Sequence, residues 1–223
     1  MTSPFPALLS EKQRLRIQTR HRYSLERFGY TPQALFWSSR EIQQQRFEIL
    51  AQVFDASKTQ QAGSVLDVGC GFGDLRAFLQ KNDIHVDYQG IDLSADMVQS
   101  AGFQYPGIQV MQGDLFDLNP ADESFDYVLL SGALNEVVET EAEHNAGHEG
   151  RYAKAVIRRM YQTCRIAVAF NLLDARNQWV RARSDLQSFE PQQIVDYCRS
   201  FASRVVCCEG YLDNDFTVFL YKR

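Results

Sequence analysis

From Gly63 onward the chain alternates short apolar or β-branched runs with stretches of helical texture. The runs are SVLDV (64–68), VDYQGID (86–92), IQVMQ (108–112), FDYVLL (125–130), RIAVAF (165–170), RVVCCEG (204–210) and DFTVFLYK (215–222). Helical stretches between strands allow the crossovers that parallel pairing requires, whereas YLDN (211–214) has room only for a hairpin. The pattern therefore predicts an α/β fold, with a sheet of seven strands that is mostly parallel and closes on an antiparallel C-terminal hairpin at its edge.

Before Gly63 the periodicity is helical. Thr31 followed by Pro32 marks a helix start, because proline fixes φ and lacks an amide hydrogen that the first turn could not use. Ser38 and Glu41 have capping-box spacing, and Ile42, Phe47, Leu50, Val53 and Phe54 form an apolar stripe, so a helix is expected over about 39–54. The chain thus divides into an N-terminal helical cap, 1–60, and an α/β domain, 61–223.

Composition narrows the class. A chain of 223 residues can bury the core of one α/β domain and is short for two. Its apolar runs are too short to span a membrane, and MTSPFPALLSEKQRLR lacks the basic-then-apolar layout of an export signal, which points to the cytoplasm. Cys70, Cys164, Cys198, Cys207 and Cys208 contain no CxxC pair and read as small buried residues of a reducing compartment; no metal site is expected. Charge is segregated: residues 111–150 carry ten acids and no Lys or Arg, and residues 151–183 carry eight Lys/Arg and one Asp. With a net charge of -5 and no basic appendage, nucleic acid is not the favoured partner.

Candidate chemistry gathers at the strand ends. In VLDVGCGFGDL (65–75) a strand runs into Asp67, then Gly69, Gly71 and Gly73, then a helix; such glycines let the backbone turn sharply and approach a nucleotide-like cofactor. Asp74 stands where a dinucleotide loop would place its third glycine, and an acid there repels a pyrophosphate. A cofactor without phosphate and with an ammonium group suits the acids better. Asp92, ending the second strand, can accept both ribose hydroxyls; Leu93 follows, Ser94 reads as a helix cap, and Met97 is placed to lie against an adenine face. Asp114, with Leu115, lies beyond the third strand where a carboxylate can accept adenine amino hydrogens, and Ser131 opens the segment after the fourth.

Four motifs at four successive strand ends resemble the class I, seven-stranded, Rossmann-like S-adenosylmethionine-dependent methyltransferases, over residues 63–223. The resemblance implies a three-layer sandwich and S-adenosyl-L-methionine as cofactor. It places Asp67 to Gly73 at the methionine tail, Asp92 at the ribose, Asp114 and Leu115 at the adenine, and Ser131 at the reacting end. LNE (134–136) replaces the [DNS]PP[YFW] tetrad of the amino-methyltransferases of adenine and cytosine, which argues against DNA N-methylation. The family varies in acceptor, so the fold does not name one.

The N-terminal helices are expected to cover the cofactor, with Trp37 walling the site and Arg46 pairing with its carboxylate; the alternative is core packing for Trp37 and a solvated charge for Arg46. His144 and His148 lie in an acidic segment read as an exposed loop or lid, and His21 and His85 read as surface or packing residues. Glu136, His144, His148 and Tyr30 are candidate bases should the acceptor have to lose a proton. Arg176, Arg181 and Arg183, beyond the fifth strand, suit an anionic acceptor or a solvated face. A small-molecule acceptor is the first reading; RNA or protein methylation, or a non-catalytic cofactor-binding module, are the alternatives.

Overall fold

The structure, a computed structural model, describes residues 9–54, 63–138 and 150–223. Helix α1, Glu11–Phe28, begins at a capping box in which the Ser10 hydroxyl accepts from the Gln13 amide and the Gln13 side chain accepts from the Ser10 amide. Gly29, at φ 62°, ends it. The Thr31-Pro32 signal starts only a short 3-10 turn, Pro32–Leu35. Helix α2, Arg40–Leu50, is capped by Ser39 and not by Ser38, since Ser39 is extended and its hydroxyl accepts from the Ile42 amide at 3.3 Å. It tightens into a second 3-10 turn, Ala51–Val53, short of the expected end at 54.

The sheet comprises β1 (Ser64–Val68), β2 (Asp87–Asp92), β3 (Val110–Gln112), β4 (Phe125–Leu130), β5 (Cys164–Asp174), β6 (Ser188–Phe189), β7 (Arg204–Glu209) and β8 (Asp215–Tyr221). Between them run α3 (Asp74–Lys81), α4 (Ala95–Gln104), α5 (Leu115–Leu118), α6 (Arg151–Thr163), α7 (Gln178–Arg181) and α8 (Pro191–Arg199). The order is β3-β2-β1-β4-β5-β8-β7, and β6 pairs with the end of β5. The chain therefore has the Rossmann-like, mostly parallel sheet with an antiparallel C-terminal pair.

The hairpin lies at the sheet edge as expected, and β7 is its outer strand. Strand β8 lies between β5 and β7, antiparallel to both, so β7 runs parallel to the first five strands. The side chains explain the placement. Six of the seven β8 residues are buried, as an interior strand requires, while β7 alternates between exposed and half-buried positions as an edge does.

Successive residues of each strand serve opposite layers. Leu66, Val128, Val168, Phe170, Phe216 and Val218 pack with Val156, Ile157 and Met160 of α6 and with Ile194 and Cys198 of α8. Val65, Leu129, Ala167 and Phe219 pack on the other face with Phe47 and Leu50 of α2 and with Leu75 and Leu79 of α3. All five cysteines are free thiols, and the neighbours Cys207 and Cys208 join opposite layers. No described helix is long and apolar enough to cross a membrane.

Candidate active site

A cavity of about 560 Å³ opens at the carboxyl ends of β1, β2 and β4, where open α/β sheets bind ligands. Its volume is that of a small-molecule site. The sheet builds one end. Gly69, Gly71 and Gly73 all have positive φ, which leaves bare backbone between β1 and α3. A Cβ on Gly69 would fall 2.3 Å from the Ala133 Cβ, and one on Gly71 would fall 2.9 Å from a Leu35 methyl. The turn is thus pressed between the segment after β4 and the 3-10 turn of the N-terminal region.

Asp92 holds this turn in place. One carboxylate oxygen accepts from the Gly71 amide and the other from the Ser94 amide, each at 2.9 Å. A carboxylate has about four acceptor positions, so two remain for a ligand's hydroxyls. Asp67 lies behind, 2% exposed, accepting from the Tyr88 hydroxyl at 2.7 Å. Burial, against the pull of that hydroxyl and with the charge of Asp92 added, pushes its carboxyl up to about 7. Burial also raises the Cys70 thiol well above its ordinary value, so no thiolate nucleophile arises here. The residues fit a cofactor with vicinal hydroxyls and positive charge: acids surround a turn that bears no basic side chain.

The N-terminal elements build the other end. Side chains of α1 tie it across the strand ends: Gln18 donates to the Leu93 carbonyl, Arg16 to the carbonyls of Val137 and Val138, and Arg14 to Asp114 at 2.7 Å and Asp117 at 2.5 Å. Trp37 is 8% exposed; its ring would meet a Cβ on Gly132 at 3.0 Å. The Arg46 guanidinium lies 4.6 Å from the Trp37 ring centroid and forms an ion pair with buried Asp215.

Of the residues singled out in the sequence, Asp67, Gly69, Gly71, Asp92 and Leu93 line the cavity from the sheet. Asp114, Ser131, Trp37 and Arg46 line it as well. Gly73, Met97 and Leu115 do not. Gly73 leaves room instead for Ile108, whose Cδ1 lies 2.4 Å from where a Cβ would stand. Met97 is fully buried against Ala34 and Phe72, and Leu115 belongs to the core beside Leu66. Arg46 is neither a solvated charge nor free for a ligand carboxylate, because Asp215 already faces it. The Asp114 carboxylate caps α5 through the Phe116 and Asp117 amides and meets Arg14, leaving little capacity for an adenine.

Among the other expectations, Glu136 pairs with Arg20 at 3.1 Å, and Tyr30 is 50% exposed against the edge of Phe72. Arg183 alone of the three distal arginines lines the cavity; Arg176 pairs with Asp174 and Glu209 at the β7 side. His144 and His148 lie outside the described residues. The cavity also takes in Asn135 and Tyr152, together with His21, which was expected to be a surface or packing residue. His21 follows Ile17 by four residues and Gln13 by eight, the inward row of α1, and that spacing was the available signal.

A twisted parallel sheet with a glycine turn after β1 and an acid after β2 defines an α/β protein for a nucleoside-containing cofactor. Residues 65–149 match the family model of a methyltransferase domain. The chain is 27% identical over 160 residues to a Mycobacterium tuberculosis protein described as a methyltransferase, covering 71% of this chain and 93% of that one. It is 36% identical over 67 residues to a fatty-acid O-methyltransferase of Mycolicibacterium smegmatis, 29% of this chain and 24% of that one. Among solved structures, magnesium protoporphyrin IX methyltransferase of Synechocystis with bound S-adenosylhomocysteine superposes with a TM-score of 0.64 at 15% identity, over 95% of this chain and 100% of that one. The chain thus carries a match to a methyltransferase domain over 65–149 and shares the fold of solved S-adenosylmethionine-dependent methyltransferases.

Proposed function

We propose that the protein methylates a small, largely apolar molecule in the cytoplasm, under a cap formed by the N-terminal helices of residues 9–54. The observation that carries this reading is the wall of the cavity away from the glycine turn: Ile17, Phe28, Phe36, Trp37, Leu130 and Leu186. Such a surface excludes water and rewards apolar contact, about 25 cal/mol for each Å² buried. A cavity of this volume takes a small molecule.

S-adenosylmethionine, when bound, supplies a methyl group on a sulfonium. Asp92 would hold the ribose through its two remaining acceptor positions, and the Gly69–Gly71 backbone with Asp67 would face the amino-acid tail. Trp37 and the α1 side chains hold the acceptor in line and keep water out. An anionic acceptor, the expectation from Arg176, Arg181 and Arg183, finds no uncompensated arginine in the described lining. Arg20 faces Glu136 and Asp185, Arg183 faces Asp185 at 2.6 Å, and Arg46 faces Asp215.

Incubation with methyl-labelled S-adenosylmethionine and cell extract, followed by separation into solvent-extractable molecules, RNA and protein, tests the reading. Label should enter the extractable fraction. Label in RNA or protein alone would replace it with a macromolecular acceptor, and no label at all would leave a cofactor-binding module.

A further inference from the structure

Buried polar atoms in a folded protein almost always have partners, so those without one call for an occupant. Three residues that line the cavity each carry such an atom: His21 Nδ1, Ser131 Oγ and Asn135 Oδ1. They come from two directions, His21 from α1 and the other two from the segment that leaves β4. The His21 ring is fixed by Phe36, with centroids 5.4 Å apart, and Arg20 covers the same Phe36 ring at 4.2 Å. Ser131 is followed by Gly132, whose amide donates to the Asn171 side chain at 2.9 Å, so the backbone that carries Ser131 and Asn135 is anchored to β5.

We propose that these three atoms receive the nucleophilic group of the methyl acceptor and that His21 is the catalytic base that takes its proton. This rests on the small-molecule reading above and narrows it to a class. An amide oxygen and an unprotonated imidazole nitrogen both accept hydrogen bonds, and the serine hydroxyl can do either, so the missing partner is a donor. A carboxylate donates nothing, and the arginines that could have neutralised it are already paired with Glu136, Asp185 and Asp215. The acceptor is therefore a neutral O–H or N–H on an apolar body, an alcohol, phenol or amine. In the reaction the heteroatom of the acceptor forms a bond to the methyl carbon as the carbon–sulfur bond breaks with its electron pair going to sulfur. The heteroatom's proton passes to His21 Nδ1 and then to solvent. The products are the methyl ether or methylamine, neutral S-adenosylhomocysteine and one proton.

The test uses methyl-labelled S-adenosylmethionine with the small-molecule fraction of a cell extract, on the wild-type protein and on His21→Ala and His21→Gln. Methyl esters release their label as methanol in mild alkali, whereas methyl ethers and methylamines keep it. The wild-type label should be alkali-stable. Both variants should transfer at least about 100-fold more slowly, the usual range for loss of a general base, while binding S-adenosylhomocysteine by calorimetry within about twofold of wild type. Glutamine fills the space of the imidazole and accepts a hydrogen bond but not a proton, so a purely structural role would be rescued by it. Added imidazole should restore part of the rate in His21→Ala. Alkali-labile label, a near-wild-type rate in His21→Gln, or loss of S-adenosylhomocysteine binding in step with activity would each overturn the assignment. Absence of label from small molecules altogether would overturn the small-molecule reading itself.

Discussion

At the end of the cavity made by the sheet, Asp92 is bonded to two amides, Asp67 to a tyrosine hydroxyl, and Asp114 to its own helix and to Arg14. At the end made by α1 and the segment after β4, His21, Ser131 and Asn135 present polar atoms to no described partner. The first end is preorganised: its shape is paid for by the fold and is ready for a cofactor that never varies. The second end leaves its hydrogen bonds to be completed by whatever molecule enters, which is where discrimination between acceptors is largest. One cavity thus joins a fixed socket to a selective one.

The largest effect that would break this contrast is expected at Asp92. Alanine there removes the acceptor of the Gly71 and Ser94 amides as well as the proposed ribose contacts. S-adenosylhomocysteine should then bind about 1–3 kcal/mol more weakly by calorimetry, roughly 5- to 150-fold. Unchanged affinity would mean that the sheet end is not the socket.

A smaller and more specific effect follows from Asp67. Its carboxyl is raised from an ordinary value near 3.8 to about 7, so between those values the folded protein binds a proton that the unfolded chain does not. The stability this contributes is complete below about pH 4 and is lost as pH climbs through 7. A cofactor carrying a sulfonium and an ammonium favours the carboxylate, so binding near pH 6.5 should release a fraction of a proton. The calorimetric heat should depend on the ionisation enthalpy of the buffer, and Asp67→Asn should remove that dependence. If the wild-type heat is the same in phosphate and in Tris, the coupling is absent.

The smallest effect sharpens the role of α1. Arg14 is 23% exposed and Asp117 46%, so the ion pairs that tie the helix to α5 are partly screened and worth about 0.5–1 kcal/mol in total. Arg14→Ala should lower the melting temperature by only a few degrees, and the difference from wild type should shrink in 1 M salt. A loss that persists undiminished in high salt would mean that α1 is held mainly by packing.

These expectations also mark what the sequence can and cannot convey. Strands β1 and β4 fall on SVLDV and FDYVLL, because a buried central strand is a continuous apolar run with sharp edges. The two-residue β6 carries too little periodicity to register, and β5 runs on to Asp174 only because β6 and β8 flank its far end. The glycine turn and Asp92 were legible because a turn of positive φ and its nearest acid are local features. Arg46 and Asp215 are separated by most of the chain, and their pairing could not be read from either neighbourhood. The same holds for His21, which sits on a helix so rich in charge that its inward row, Gln13, Ile17 and Ser24, is barely apolar.

The placement of β8 inside the sheet bears on how the chain reaches its native state during synthesis. Strand β7 leaves the ribosome before β8, yet its ladder partner is β8 alone. Until β8 emerges, β5 presents an open hydrogen-bonding edge and β7 has nothing to pair with. Asp215, the first residue of β8, is also the counterion of Arg46, which is translated long before it. The guanidinium must therefore stay hydrated until the late strand docks, since an unpaired charge is costly to bury. A pause in translation after β7 would prolong the exposure of an aggregation-prone edge.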